Sequence, residues 1–319
     1  MKTMTKNKQM KIRKKRDCGF ILASVFLIFL INGCSSESVD DGKIKVVATI
    51  EMITDMAENI GGDKVIVQGL MGPGIDPHLY KATEGDVTRL ARANLIFYNG
   101  LHLEARMGEI LEKMNEQKTT VAVSDYVSKD ILLDFPTYPG QYDPHIWFDV
   151  SMWISAAEKV RDTYIEYDPE NKEGYSKRAQ IYINKLKELD KYVRERAAEP
   201  PKSQRILVTA HDAFQYFGRA YDFEVVGLQG ISTAAEAGTK DVQELVDFII
   251  DNEIKAIFIE TSISERTIKA VQESAKSEGW DVEIGGELFS DAMGDEGTFE
   301  GTYIGMVTHN IDTIVSAIK

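Results

Sequence analysis

The 319-residue chain carries 51 acidic against 37 basic side chains, a formal charge of −14. So acidic a surface repels nucleic acid and anionic lipid headgroups, which excludes both as electrostatic partners and mildly favours cations. Only two cysteines are present, too few for a disulfide framework to carry the fold.

The chain opens with eight basic residues between Lys2 and Arg16, followed by an almost wholly apolar run from Gly19 to Ile31. That run is shorter than the roughly 20 apolar residues a membrane-spanning helix needs, and the order of basic, apolar and polar regions is that of an export signal. It ends at Ile31-Asn32-Gly33-Cys34, which resembles a bacterial lipoprotein processing site, although Asn32 is atypical there. Residues 1–33 are therefore expected to be a signal peptide, Cys34 the lipid-bearing first residue of the mature chain, and 34–42 a short tether. Two acyl chains on one cysteine suffice for stable attachment to the cell membrane on its outer side. Cys18 would be lost with the signal, so the mature chain has no thiolate to offer a metal. Eight basic residues and Asp17 would go with it, leaving 29 basic against 50 acidic residues and a charge of −21. The 286 residues left from 319 exceed one comfortable core.

From Lys43 short β-branched runs alternate with amphipathic stretches, the pattern of βα units around a parallel sheet. Strands are expected at Lys45–Thr49, Val65–Gly69, Leu95–Tyr98 and Thr120–Val123. The helices between and after them fall at 52–60, 86–93, 104–114 and 150–167. In the second half, strands are expected at Ile206–Thr209, Glu224–Val226, Ala256–Ile259 and Val282–Ile284, with helices near 212–220, 240–252, 265–277 and 301–318. The expected architecture is thus α/β in two lobes, 43–168 and 201–319, each with four largely parallel strands flanked by helices. Residues 169–200 join them. Their apolar stripe of Tyr175, Ala179, Tyr182, Leu186, Leu189 and Val193 is spaced by four and three, and Pro200-Pro201 stops it, so one helix of about 40 Å is expected. The stripe is too short for a coiled-coil dimer, and a monomer is expected.

Five histidines are present, three of them at strand ends or in strand-following loops. His78 and His145 each complete an Asp-Pro-His, at 76–78 and 143–145. Proline fixes its own φ and the aspartate can bond its own backbone, so each imidazole is presented by a pre-set turn. Helices follow, with Thr83 to Asp86 resembling a capping box and Asp149 a candidate N-cap. His211 comes just after a strand of the second half, and Asp291 follows the last strand. Ligands of open α/β sheets bind beyond the carboxyl ends of strands, so two residues from each lobe could converge on one cleft. Any one of these histidines alone is an ordinary polar residue; the repeated motif and the matched placements make them a set. Three imidazoles and a carboxylate suit Zn²⁺ and are tolerable for Mn²⁺. Ligands to one such ion, each bonded at about 2 Å, cannot stand more than roughly 6 Å apart. Glu260, at a strand end, either hydrogen-bonds a ligand imidazole from behind or caps a helix at the surface. His102 and His309 have no comparable context and are assigned to structure or surface, and Trp147 and Trp153 to the core.

These segments together resemble a family. Ile50-Glu51-Met52-Ile53, Gly74-Ile75-Asp76-Pro77-His78-Leu79-Tyr80, Asp143-Pro144-His145-Ile146-Trp147, Thr209-Ala210-His211-Asp212-Ala213-Phe214, Phe258-Ile259-Glu260 and Gly285-Gly286-Glu287-Leu288-Phe289-Ser290-Asp291 are similar, in this order, to the metal-binding solute receptors of ABC transporters that include TroA. The resemblance implies a receptor, not an enzyme, in which His78, His145, His211 and Asp291 hold one zinc or manganese ion between two lobes. It further implies delivery to a permease driven by an ATPase subunit. Zinc-dedicated relatives often carry a His-rich loop before the second ligand, and 124–141 here has no histidine. Manganese-dedicated relatives usually have glutamate where this chain has His211, so both metals stay open. Two other readings are a metal-dependent hydrolase and a surface adhesin, an activity often attributed to such lipoproteins. A fourth protein ligand and the lack of an obvious general base oppose the first, and no repeat supports the second.

Overall fold

The computed structural model describes residues 42–135 and 138–319. The expected signal 1–33, the lipid-bearing Cys34 and the tether up to Asp41 lie outside the described residues.

Four strands build the first half: β1 (Ile44–Ala48), β2 (Val65–Gly69), β3 (Leu95–Tyr98) and β4 (Thr119–Ala122), all parallel in the order β2-β1-β3-β4. Parallel neighbours need crossover connections, supplied here by α1 (Glu51–Gly61), α2 (Glu84–Arg92) and α3 (Gly108–Asn115). The buried Val46, Val47 and Ala48 of the central β1 are apolar in succession, as a strand covered on both faces requires. Helix α2 starts at the expected capping box: Thr83 Oγ1 accepts from the Asp86 amide (3.2 Å) and Asp86 Oδ2 accepts from the Thr83 amide (2.7 Å). Asp149 caps α4 (Val150–Tyr167) by accepting from the Ser151 amide at 2.9 Å.

The helix expected from Glu104 begins only at Gly108, after a single 3₁₀ turn. Leu101 and His102 sit in the left-handed region (φ 52° and 65°), which folds Glu104 back under β3. There its buried carboxylate accepts from Thr49 Oγ1 and the Asn99 amide, both at 2.7 Å, and from the Gly100 amide at 3.2 Å. Burial raises the carboxyl above its usual range, and these donors oppose that rise.

The long helix is α5 (Lys172–Ala197), 26 residues and so about 39 Å. Its expected stripe is buried against α1, α4 and α9 (Tyr303–Ile318). Arg178 ties it to α1 by donating to the carbonyls of Ile60 and Gly61, both at 2.8 Å, which would otherwise be unpaired at that helix end.

The second half alternates β5 (Ile206–His211), α6 (Gln215–Tyr221), β6 (Glu224–Gln229), α7 (Thr239–Asp251), β7 (Ala256–Glu260), α8 (Arg266–Ser277) and β8 (Glu283–Leu288). Its strands differ from the expected single four-stranded sheet. They form two parallel pairs, β5–β6 and β7–β8, with β5 running beside β7 without a hydrogen-bonded ladder. The β7–β8 register slips between Ile257 and Phe258, beside Gly286 at φ 147°, a conformation open to glycine. All four strands also run further toward their carboxyl ends than expected, so His211 is the last residue of β5 and not a loop residue. One hydrophobic core extends from the first sheet across α5 to α9 and Phe214, and a smaller one fills the space between the β5–β8 strands and α7 and α8. Among the described residues no helix is long and apolar enough to cross a membrane.

Leu186 is fully buried at the centre of α5. Leu186→Ala is expected to lower unfolding free energy by about 2–5 kcal/mol, read from denaturant melts at unchanged slope.

Candidate metal centre

Every strand end invoked from the sequence delivers its side chain to one place. His78 arrives on the connection after β2 and His145 on that after β4, while His211 closes β5 and Asp291 stands three residues beyond β8. One ligand atom from each of the four lies within 4.8 Å of all the others, so the set needs to draw in by less than an ångström to meet the roughly 4 Å span of two 2 Å bonds. Four of the six gaps are narrower. His78 Nε2 is 3.2 Å from His145 Nε2 and 3.9 Å from Asp291 Oδ2. His145 Nε2 is 3.5 Å from Asp291 Oδ1, and His211 Nε2 is 3.4 Å from Asp291 Oδ2. A tetrahedron with bonds of 2.0–2.1 Å has edges of about 3.3–3.4 Å, close to these spacings.

Burial makes the arrangement informative. His145, His211 and Asp291 are at most 1% exposed and His78 5%. His211 Nε2 and both Asp291 carboxylate oxygens are buried with no hydrogen-bond partner among the described residues. Orphaned polar atoms of this kind are costly, and three of them converging on one point call for a cation between them.

The imidazoles are aimed from behind. Glu260, 2% exposed at the end of β7, accepts from the His211 amide through Oε1 (2.9 Å) and holds His211 Nδ1 through Oε2 (2.6 Å). Asp143 Oδ1 serves His145 in the same double way, at 2.9 Å from its amide and 2.7 Å from its Nδ1. Both contacts fix Nδ1–H toward a carboxylate and leave Nε2 to face the centre. Asp76 also accepts the amide of its histidine, His78, at 2.8 Å, so both Asp-Pro-His segments form the turn their sequence dictates. Gly227 lets β6 pass close behind His211: a Cβ there would lie 2.4 Å from the Asp212 nitrogen.

Several contributors escaped the sequence reading. Asp143 reads only as a turn former, because nothing in Asp-Pro-His says that its carboxylate also reaches the ring. Trp147 reads as core, yet its ring lies 5.2 Å from that of His145 and its Nε1 donates to the Ser290 carbonyl (3.0 Å), bracing the residue before Asp291. The signal available in hindsight is proximity in sequence to a ligand. His309, assigned to structure, packs on Phe289 and reaches the Glu287 carbonyl at 3.0 Å, and His102 is exposed. Neither joins the cluster.

Within the cluster, protons balance the carboxylate charge. Burial pushes His78 down to about 3, with His145 and His211 adding to the effect against the pull of Asp291. Burial acts on His145 and His211 likewise, but carboxylates overcome it. Asp143 and Asp291 raise His145 to about 9, and Glu260 and Asp291 hold His211 well above its ordinary value. Asp291, despite burial, is held well below the usual carboxylate range by the imidazoles. A dication must displace those protons, since a ligating imidazole nitrogen is deprotonated.

Residues 46–317 match the family model described as ZnuA, zinc-uptake complex component A, periplasmic. The chain is 47% identical over 305 residues to the manganese-binding lipoprotein MntA of Bacillus subtilis, covering 94% of this chain and 99% of that protein. It is 33% identical over 300 residues to the metal ABC transporter substrate-binding lipoprotein SsaB of Streptococcus sanguinis, covering 92% and 95%. The solved structure of the periplasmic zinc-binding protein TroA from Treponema pallidum superposes with a TM-score of 0.85 at 51% identity, covering 87% of this chain and 99% of that one.

Two outcomes are expected. Glu260→Gln should weaken divalent-ion affinity about 10–100-fold, measured by chelator competition, with the circular dichroism spectrum unchanged. Protons compete with the ion, so affinity should fall as pH is lowered. The window is set by His145 near 9 and not by the ordinary histidine range, hence affinity should still be climbing above neutrality. Calorimetry in buffers of different ionisation enthalpy should detect net proton release on binding at neutral pH.

Proposed function

The chain belongs to the ZnuA family of periplasmic metal-uptake components, and from that premise we propose that it captures a single divalent ion, zinc or manganese, between its two halves and hands it to an ABC permease. His78, His145, His211 and Asp291 are the ligands in this reading. The observation that carries it is the set of buried, unpartnered donor atoms on His211 and Asp291, met by two further imidazoles at tetrahedral spacing. Four protein ligands close the coordination sphere. A catalytic zinc keeps a position open for water, so the arrangement supports a carrier over a hydrolase. No observation favours adhesion.

The donor set bears on the metal. Three imidazoles and one carboxylate follow the Irving–Williams order, which places zinc above manganese in intrinsic affinity. Relatives named for each metal are both similar to this chain, so supply in the surroundings decides which ion is carried. The ABC assignment takes support from the name of SsaB. Lipid attachment through Cys34, a position outside the cell membrane and a monomeric state complete the proposal. Release then requires at least one ligand to leave the shell, because a closed shell has no free site through which the permease could draw the ion.

Protein purified without added metal and stripped with chelator should take up one equivalent of Zn²⁺ and, in its absence, one of Mn²⁺, with zinc displacing manganese in competition. Excess ion at about 100 times the dissociation constant should stabilise the fold by about 2.7 kcal/mol. Asp291→Ala should abolish both uptake and stabilisation. Stoichiometric uptake by that variant would sink the reading.

A further inference from the structure

The ligands are not held alike. His145 and His211 are each gripped twice, at the backbone amide and at ring Nδ1, by Asp143 and Glu260. His78 is gripped once. Asp76 accepts its amide through Oδ1 (2.8 Å), and among the described residues no hydrogen bond to its Nδ1 matches those of the other two rings. It is also the ligand with the greatest exposure, 5% against at most 1% for the others.

The two Asp-Pro-His turns therefore diverge at one oxygen. Asp143 spends its ring-facing contact on its own histidine, whereas the second oxygen of Asp76 reaches across to the other half of the molecule and accepts from Thr233 Oγ1 at 2.6 Å. Thr233 is 8% exposed and sits in the loop between β6 and α7. One carboxylate thus ties the singly held one of the three imidazoles to a loop of the opposite half.

Resting on the metal-receptor reading above, we propose that the Asp76–Thr233 hydrogen bond is the latch on metal release, and that the ion leaves by departure of His78 while His145, His211 and Asp291 stay in place. Thr233 is a positioning residue: it touches no ligand and acts through Asp76. While the bond stands, the His78 turn cannot swing away from the centre without also dragging the β6–α7 loop. Once it breaks, the turn loses its side-chain hydrogen bond to the opposite half. A charge-assisted bond of this length is among the stronger single contacts available, so its loss should be felt in the rate of release.

The test uses the full chain loaded with Zn²⁺ and mixed rapidly with excess chromogenic chelator. Thr233→Val keeps the shape and removes the donor, and release should become about tenfold faster or more. Thr233→Ser should restore a release rate near that of the parent, which a packing defect would not. The circular dichroism spectrum of the metal-free protein should be the same in all three. Unchanged release from Thr233→Val, with the parent protein binding one ion, overturns the latch and leaves the receptor reading standing. Faster release that Thr233→Ser does not correct also overturns it. Failure of the parent to take up Zn²⁺ overturns both.

Discussion

Asp291 is the constraint on which the rest of the structure depends. Its carboxylate lies fully inside the protein with no hydrogen-bond donor on either oxygen, a state that burial alone makes prohibitive for a charged group. What makes it tolerable is positive charge at the one point that three imidazole nitrogens also face, which protons can supply and a dication could replace. The same need explains the outer carboxylates. Asp143 and Glu260 supply counter-charge behind two of the rings and fix which nitrogen points inward, so that the inner groups are already aimed before any ion arrives.

The fold's contribution is to bring strand ends from distant parts of the sequence to that point. A parallel α/β layout gathers all carboxyl ends on one side, and α5 fixes the two halves at a set separation through a core that runs without a break from the first sheet to α9. Polar contacts that cross between the halves include Trp147 to the Ser290 carbonyl, Tyr216 to the Asp143 carbonyl at 2.9 Å, and the Met293 amide to Glu51 at 2.9 Å. Glu51 is raised to about 7, mainly by burial and against the help of that amide.

Much of this was legible in the sequence because the signals are local. Strand and helix alternation, the capping box at Thr83, the N-cap at Asp149 and the stop at Pro200 each depend on neighbours a few residues away, and the structure has them where expected. The four inner groups were legible for a related reason: proline and aspartate announce a turn, and strand ends in a parallel fold share a side. What was hidden is long-range. No pattern in β5 and β7 declares that they run alongside without pairing, since strand partners are chosen by packing. Glu104 reads as the start of a helix until the left-handed Leu101 and His102 turn it inward. Asp76 and Asp143 have the same sequence context, and only the position of Thr233 in space separates their roles.

The central claim is that three imidazoles and one carboxylate enclose a single ion without help from solvent. X-ray absorption at the zinc edge of the loaded protein tests it most directly. The account predicts four nitrogen or oxygen neighbours at about 2.0–2.1 Å, with imidazole scattering from three rings, and that signal reduced to two rings in His145→Ala. A five- or six-coordinate shell dominated by water, or a spectrum indifferent to His145→Ala, would contradict it.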